Sequence, residues 1–215
     1  MKIINFIHHL KKDLEGEKPG VKAQLKMITR PRPGHRPFEE AEGKSLKAGV
    51  LVLIYPWKNR LHLVLTRRTE RMSFHQAQIS FPGGRKEKAE SIEQAALREA
   101  NEELNISPES LTILGKLTPL YIPASNHCIY PIVAFTKKRP KFRPSPQEVA
   151  EVIEIPLDHL LDSKNRKEEI WKIKDMEVVV PFYSFEEHKI WGATAMVISE
   201  LIELLEKNKI FLVSK

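Results

Sequence analysis

The chain has 215 residues, of which 41% are apolar and 29% charged, a composition typical of a globular protein with a sizeable core. This composition excludes disorder as a description of the whole chain. The longest apolar run, residues 48–56, is far shorter than the ~20 residues that span a bilayer, so we expect no integral membrane protein. Cys128 is the single cysteine, which excludes an intrachain disulfide and a multi-cysteine metal site. With no secretory signal recognised at the start, a reducing, cytoplasmic setting is expected.

Basic residues outnumber acidic ones by 35 to 28, which gives a net charge of +7 and a pI near 9.4. Such an excess favours an anionic partner: nucleic acid, a membrane surface or a phosphorylated small molecule. The charge is segregated along the chain. Residues 1–50, 58–71 and 137–143 together carry +14, so the remainder is net −7. The acidic part of the chain therefore requires its own explanation.

Hydrophobic periodicity and turn residues predict a mixture of strands and helices. Residues 1–28 have helix-like spacing that breaks at Pro19, and the prolines of 31–37 predict an extended surface connector. A hairpin is expected from 49–55 and 61–66, and a helix from Ile92 to Leu104. The remaining predicted elements are strands at 111–122, 129–136 and 147–155, a short helix from Pro156, a loop at 163–169, a strand at 178–185 and an amphipathic helix at 193–206. The order of elements predicts an α/β sandwich.

The predicted helix at 92–104 concentrates negative charge. Ser91 and Gln94 form a capping-box pattern at its start. Glu99, Glu102 and Glu103, at positions i, i+3 and i+4, are expected on the side nearly opposite the apolar residues. Three clustered carboxylates repel one another and oppose the helix dipole near its C-terminus. The pattern therefore favours a partner that neutralises them.

Protein side chains alone supply too little positive charge for this helix. Arg98 can pair with Glu102 four residues on, but it cannot neutralise three carboxylates. Mg²⁺ accepts carboxylate oxygens and shares its remaining positions with water and substrate phosphates. A solvated glutamate-rich helix face is the alternative interpretation. The spacing of the three glutamates does not distinguish a metal site from a solvated face.

A longer motif around this helix resembles the Nudix box, Gly-x5-Glu-x7-Arg-Glu-(apolar)-x-Glu-Glu-x-Gly-(apolar). The matching residues are Gly84, Glu90, Arg98, Glu99, Ala100, Glu102, Glu103 and Ile106. The resemblance implies a Nudix-type α/β/α sandwich with a mixed sheet and a hydrolase of diphosphates that uses Mg²⁺ or Mn²⁺. It further implies that Glu99, Glu102 and Glu103 hold the metal. Catalytic roles are implied for Glu102, Glu103, Arg98 and Glu90, the last two as orienting residues.

One position departs from the motif. Asn105 stands where the family has glycine, just past the helix end, where a left-handed backbone is common. Asparagine is the next best residue for that conformation. We therefore expect a small cost in stability and an intact metal site.

The segment upstream of the box is similar to the extra motif of coenzyme A pyrophosphatases. The matching residues are Leu65, Thr66, Arg68, Phe81, Pro82, Gly83 and Gly84, and the departures are Val64, Thr69, Ser73 and Ala77. The resemblance implies cleavage of coenzyme A to 3′,5′-ADP and 4′-phosphopantetheine. The candidate substrate-binding residues are Arg67, Arg68, His75, Gln78, Gly83 and Gly84, since arginine forks suit phosphate and glycines allow close backbone approach.

Hydrolysis also requires a group that accepts a proton from water. Glu102 or Glu103 is the first choice because either would lie next to a metal-bound water. Glu148 and Glu151 are the alternative helper bases from outside the box. An alternating strand with one solvated face would produce the same two glutamates.

Two further interpretations stay open. One is a Nudix hydrolase of ADP-ribose or another nucleoside diphosphate derivative. The other is an RNA- or nucleotide-binding module without turnover, although the basic segments lack the interleaved aromatics of single-strand binders. The expected partner is a small nucleotide diphosphate, with no membrane and no nucleic acid. We expect residues 46–215 to form the domain and 1–45 a partly helical extension, for which packing, homodimer contacts and substrate closure are all compatible.

Overall fold

The computed structural model describes residues 2–31, 38–69, 78–173 and 176–206. The helices are α1 (Lys2–Glu15), α2 (Gly20–Gln24), α3 (Phe38–Ala41), α4 (Ile92–Leu104), α5 (Leu157–Leu161) and α6 (Gly192–Glu206). The strands are β1 (Leu46–Trp57), β2 (Arg60–Arg68), β3 (Ile79–Ser80), β4 (Gly83–Arg85), β5 (Thr112–Lys116), β6 (Leu120–Ile122), β7 (His127–Phe135), β8 (Val149–Pro156), β9 (Arg166–Ile173), β10 (Met176–Phe185) and β11 (His188–Trp191). Single 3₁₀ turns occupy Leu25–Met27, Pro108–Ser110 and Ser163–Asn165.

The larger sheet is mixed. Its central order is β3-β2-β1-β7-β5, with β4 beside β1, β6 beside β7 and β8 beside β2. β1 and β7 run parallel, and the other described pairings in this sheet are antiparallel. The predicted β1–β2 hairpin forms around Lys58 and Asn59, whose φ angles of 47° and 60° suit a tight primed turn.

Helices cover both faces of this sheet, because β1 alternates its side chains between two cores. Leu51 and Leu53 pack with α4, whereas Val52 and Ile54 belong to the core that contains α1 and α6. The predicted α/β sandwich is confirmed. A Cβ on Gly49 would overlap the backbone of α4, so this glycine permits the close contact between helix and strand.

The second sheet has the order β11-β10-β9 and is antiparallel. The loop predicted at 163–169 is wrong from residue 166 onward, because β9 begins there. β9 lies at an edge, its side chains are largely exposed, and its lysines and glutamates therefore resemble a loop in sequence. The strand expected at 111–122 also divides, into β5 and β6, with a register shift next to Gly115.

The amino-terminal segment packs into the main core. Phe6 and Leu10 of α1 are fully buried, and Leu14 is nearly so. α1 and α2 both contact α6. The prediction that α6 is amphipathic is wrong for this reason: these helices cover its second face, and residues 194–202 are all buried. The proline-rich connector falls largely in 32–37, outside the described residues.

Candidate active site

Local sequence signals fix both ends of α4. The Ser91 hydroxyl accepts the backbone N–H of Gln94, and the Gln94 side chain accepts the backbone N–H of Ser91. At the other end Asn105 adopts the left-handed conformation, with φ 56° and ψ 40°. The predicted capping box and the predicted left-handed residue are therefore both present.

Arg98 lies at the centre of a group of carboxylates. It binds Glu90 in bidentate fashion, from Nε at 3.1 Å and from Nη2 at 2.9 Å. Its Nη1 donates to Glu99 at 2.9 Å and to Glu102 at 3.0 Å. The hydrogen bond from Arg98 lowers the pKa of Glu90 and raises that of the guanidinium. We call Glu90, Arg98, Glu99, Glu102 and Glu103 the box cluster.

Glu103 is buried, although it lies on the carboxylate side of α4. It is only 3% exposed, whereas the Glu102 side chain is 53% exposed. Its Oε2 is buried and has no hydrogen-bond partner among the described residues. Burial raises the pKa of Glu103 to about 8, although the nearby charge of Arg68 acts in the opposite direction. A buried carboxylate with one unpartnered oxygen is costly, and a bound cation would relieve that cost.

Glu99 reaches past β4 because Gly84 lacks a side chain. A Cβ at Gly84 would overlap the Glu99 carboxylate. The Glu99 side chain is 16% exposed, and burial raises its pKa. The box glycine and the first box glutamate are therefore coupled by direct contact, which explains in physical terms why the motif requires both.

The segment after β7 covers the end of α4 and brings Glu148 to the box cluster. Backbone N–H groups of Arg143 and Ser145 donate to the carbonyls of Leu104 and Glu103, at 3.0 and 2.8 Å. These bonds satisfy carbonyls that a helix end leaves free. The charge of Glu148 contributes to the raised pKa of both Glu99 and Glu103, after burial. Glu148 itself makes no ion pair with any residue in the described ranges.

A cavity of about 590 Å³ adjoins the box cluster on the α6 side of the sheet. Its polar lining includes Arg68, Gln78, Arg85 and Glu99, with Gly83 and Gly84 between them. Strand register places Arg85 of β4 next to Ala48 of β1, and Ala48 next to Ile129 of β7. β6 lies beside β7, so the lining crosses four strands, or about 14 Å at ordinary strand spacing. A ligand anchored at the box can therefore extend across the sheet.

The predicted substrate residues divide into three groups. Arg68, Gln78, Gly83 and Gly84 line the cavity. Arg67 points elsewhere, and its Nε donates to Glu151 at 2.8 Å. His75 lies outside the described residues.

Glu151 belongs to a different group of side chains from Glu148. Its Oε1 lies 3.2 Å from Nε2 of His188, and Glu187 lies 3.8 Å from the same nitrogen. The ligand atoms of Glu151, Glu187 and His188 lie within 4.8 Å of one another and could hold a metal ion. We call these three residues with Arg67 the strand cluster.

Other cavity residues were not predicted from the sequence as functional. They include Met27, Ile28 and Thr29 of the amino-terminal extension and Trp191 to Thr194 before and within α6. Ile190 and Ala195, on either side of the second group, are fully buried core residues. The residues between them line the cavity instead. Nothing local in the sequence distinguishes these two roles.

The box cluster fits a hard divalent cation better than the strand cluster does. Its possible ligand atoms are carboxylate oxygens, and Glu103 Oε2 has no hydrogen-bond partner in the part of the chain that the structure describes. In the strand cluster, both oxygens of Glu151 already face a cationic or ionisable nitrogen, and the Glu187 side chain is 76% exposed. Glu99, Glu102 and Glu103 are therefore the better candidate ligands for a divalent cation among the described residues.

Comparison with known proteins identifies the family. The NUDIX domain model matches residues 45–175, more than half of the chain. The chain belongs to the Nudix hydrolase family. It therefore acts on pyrophosphate bonds, and the matched region includes α4 with its carboxylates.

Two relatives and one solved structure illustrate the similarity. An uncharacterised Nudix hydrolase, NudL, of Photorhabdus laumondii is 34% identical over 145 residues, which cover 67% of this chain and 77% of the relative. The mitochondrial Nudix hydrolase 15 of Arabidopsis thaliana is 27% identical over an alignment that covers 72% of this chain and 57% of the plant protein. The crystal structure of RenU, a Nudix hydrolase from M. smegmatis, is similar with a TM-score of 0.50 and 19% identity, over 80% of this chain and 91% of RenU. That structure supports the fold. Within the described residues, no helix is long and apolar enough to cross a membrane.

Proposed function

We propose that this Nudix hydrolase cleaves the diphosphate of coenzyme A, or of its acyl derivatives, with Mg²⁺ or Mn²⁺. The products would be 3′,5′-ADP and 4′-phosphopantetheine. The observation that carries the proposal is the cavity, whose charged residues lie beside the box while the rest of its lining is largely apolar. Coenzyme A has the same polarity, because a diphosphate joins a charged nucleotide to an uncharged chain.

Each residue of the box cluster has a distinct role in this proposal. Glu99, Glu102 and Glu103 would hold the cation, and Arg98 keeps two of them oriented through its bonds to Glu99 and Glu102. Glu90 in turn fixes Arg98. A bound divalent cation supplies neutralisation of phosphoryl charge and a position for the attacking water. Arg68 lines the same space and can donate to phosphate oxygens.

The proton of the attacking water requires a carboxylate that is not already occupied. Glu103 is buried and would be held as a ligand, while Glu102 already accepts from Arg98. Glu148 makes no ion pair among the described residues, and its charge acts on both Glu99 and Glu103. We therefore assign proton acceptance to Glu148, with Glu102 as the alternative. Glu151 is engaged by Arg67 and His188.

A product-resolved assay tests the proposal. Purified protein with Mg²⁺ or Mn²⁺ is given coenzyme A, dephospho-coenzyme A and ADP-ribose separately. We expect 3′,5′-ADP and 4′-phosphopantetheine from coenzyme A, and a higher kcat/KM for it than for ADP-ribose. Hydrolysis of ADP-ribose or another nucleoside diphosphate derivative with coenzyme A left intact would overturn the substrate assignment and favour the alternative Nudix activity.

The Glu102→Gln variant checks that the box carries the reaction. We expect loss of activity and an unchanged thermal transition in metal-free buffer, because the Glu102 side chain is 53% exposed. Full activity in this variant would remove Glu102 from the mechanism.

A further inference from the structure

The amino-terminal extension supplies part of the cavity wall, at residues that precede the region matched by the family model. Met27, Ile28 and Thr29 line the cavity together with residues of β1, β7 and the start of α6. The family model begins at residue 45. This wall is therefore a feature that the chain adds to its Nudix domain.

Several contacts hold this wall in place. The buried side chain of Gln24 donates to the Thr118 carbonyl at 2.8 Å and to Glu200 at 2.9 Å. Ser199 of α6 donates to the carbonyl of Ala23 at 2.8 Å. These bonds connect the segment before Met27 to the main core, so the position of the wall is fixed on one side.

The other side of the wall is attached to the second sheet. Arg30 and Val179 exchange backbone hydrogen bonds of 3.0 and 2.8 Å, and the Arg30 side chain binds Glu168 at 2.9 Å. Met27 to Thr29 is therefore held between two anchored points. A short segment fixed at both ends can present a defined surface to a ligand.

The chemistry of the surrounding lining indicates which ligand group it meets. Among the described lining residues, permanent charge is confined to Arg68, Arg85 and Glu99 at the box. The rest of the described lining is mostly apolar, with Ile122, Ile129, Met196 and Val197, and its polar members include Ser125, His127 and Thr194. It contains no lysine or arginine among the described residues, so a second phosphate there would meet no permanent positive charge.

We propose that residues 27–29 determine specificity, by forming an apolar subsite for an uncharged chain attached to the diphosphate. This inference rests on the proposed function and adds to it the part of the chain that selects the second moiety. An acylated or otherwise extended neutral chain would gain contact with the wall. A compact sugar such as the second ribose of ADP-ribose would not.

Point substitutions test the subsite, because removing the extension would also remove the buried Phe6 and Leu10 from the core. Ile28→Trp fills the space next to the wall, and Ile28 is only partly buried. Thr29→Phe is a second variant at another partly buried position. Val21→Trp is the matched control, since Val21 is 48% exposed and does not line the cavity.

Binding is measured by calorimetry in EDTA, where hydrolysis does not complicate the result. We expect wild type to bind coenzyme A more tightly than ADP-ribose. Ile28→Trp should weaken the binding of coenzyme A by about tenfold or more and that of ADP-ribose by less than about twofold. A steric change in an apolar pocket typically alters ligand discrimination by about tenfold or more. Thr29→Phe should act in the same direction, and Val21→Trp should match wild type.

Equal effects on both ligands, no effect on either, or a wild type without preference for coenzyme A would overturn this inference. Failure of the proposed function has a different signature. In that case the binding preference and its loss in Ile28→Trp would be observed, but the Mg²⁺ assay would yield no 4′-phosphopantetheine.

Discussion

The molecule contains two clusters of basic and acidic side chains, the box cluster at α4 and the strand cluster between β2, β8 and β11, and they differ in how well their charges are paired. In the strand cluster, Arg67 binds Glu151 at 2.8 Å and His188 lies on its other oxygen. In the box cluster, Arg98 serves three glutamates, yet Glu103 remains buried with an unpartnered oxygen. Both clusters thus form internal networks, but only the box cluster contains a buried carboxylate oxygen that has no hydrogen-bond partner among the described residues. Residue types alone therefore do not identify the better cation site. A buried carboxylate oxygen without a hydrogen-bond partner is the more informative feature.

The largest expected effect comes from closing the gap through which Glu99 enters the site. Gly84→Ala places a Cβ on the Glu99 carboxylate and displaces it. A displacement of about 1 Å costs on the order of 100-fold in rate, so we expect at least that loss in kcat. Gly43→Ala is the control, because a Cβ there meets nothing within 4 Å. Equal activity of Gly84→Ala and wild type would show that Glu99 need not occupy its observed position.

The two helper-base candidates should separate according to their cluster. Glu148→Gln should lower kcat by about 100-fold with little change in stability, as expected for loss of a general base. Glu151→Gln should keep kcat near wild type and lower the free energy of unfolding by less than about 1 kcal/mol, because this ion pair is about one-third exposed. Steady-state kinetics and urea unfolding of both variants provide the measurement. If Glu151→Gln lost kcat and Glu148→Gln kept it, the general base would lie in the strand cluster instead.

In metal-free protein, the contributions of Glu103 and Glu151 to folding stability should depend on pH in opposite directions. Burial raises the pKa of Glu103 to about 8 from 4.5, so the unfolded chain loses this proton first. Stability should therefore fall as pH rises from 4.5 to 8, by on the order of a few kcal/mol. The hydrogen bond from Arg67 lowers the pKa of Glu151. Glu151 therefore adds to the free energy of unfolding at pH values above the ordinary pKa of glutamate, and this contribution is lost on acidification.

Urea unfolding in EDTA across this pH range measures both contributions. Glu103→Gln should remove the loss of stability toward pH 8, and Glu151→Gln should remove part of the loss on acidification. A wild type that is as stable at pH 8 as at pH 5, with no change in slope for Glu103→Gln, would contradict the burial argument.

The smallest expected effect lies at the end of α4. Asn105→Gly restores the residue of the family motif at a left-handed position, and we expect a gain below about 1 kcal/mol with unchanged kcat/KM. Asn105→Ala should lose about 1 kcal/mol, because alanine disfavours this conformation. Thermal unfolding of both variants checks the order. A large change in activity for Asn105→Gly would mean that asparagine has a role beyond the backbone.

Signals close in sequence predicted their structures well. Ser91 with Gln94 specified where α4 begins, and Asn105 specified the left-handed residue after its end. The box residues are also brought together, since most of them lie within one helix and the loop before it. These features depend on neighbours a few residues apart, which is why the sequence is sufficient for them.

The remaining features depend on contacts between distant segments. Glu103 is buried, and its carboxyl interacts with Arg68, Gly83 and Glu148, none of which is in the helix, so helix periodicity alone does not reveal its burial. Met27 lies in the cavity wall because Ala23 and Arg30, on either side of it, are hydrogen-bonded to α6 and β10, more than 100 residues away. β9 was missed because the side chains of an exposed edge strand carry no alternating apolar pattern.

Calorimetric titration of Mg²⁺ and Mn²⁺ into wild type, Glu103→Gln and Glu151→Gln tests most directly whether the box cluster is the metal site. We predict that Glu151→Gln binds metal as wild type does, whereas Glu103→Gln loses at least about tenfold in affinity, since even indirect disturbance of a metal ligand costs that much. Wild-type affinity in Glu103→Gln together with lost binding in Glu151→Gln would contradict the account and assign the metal to the strand cluster.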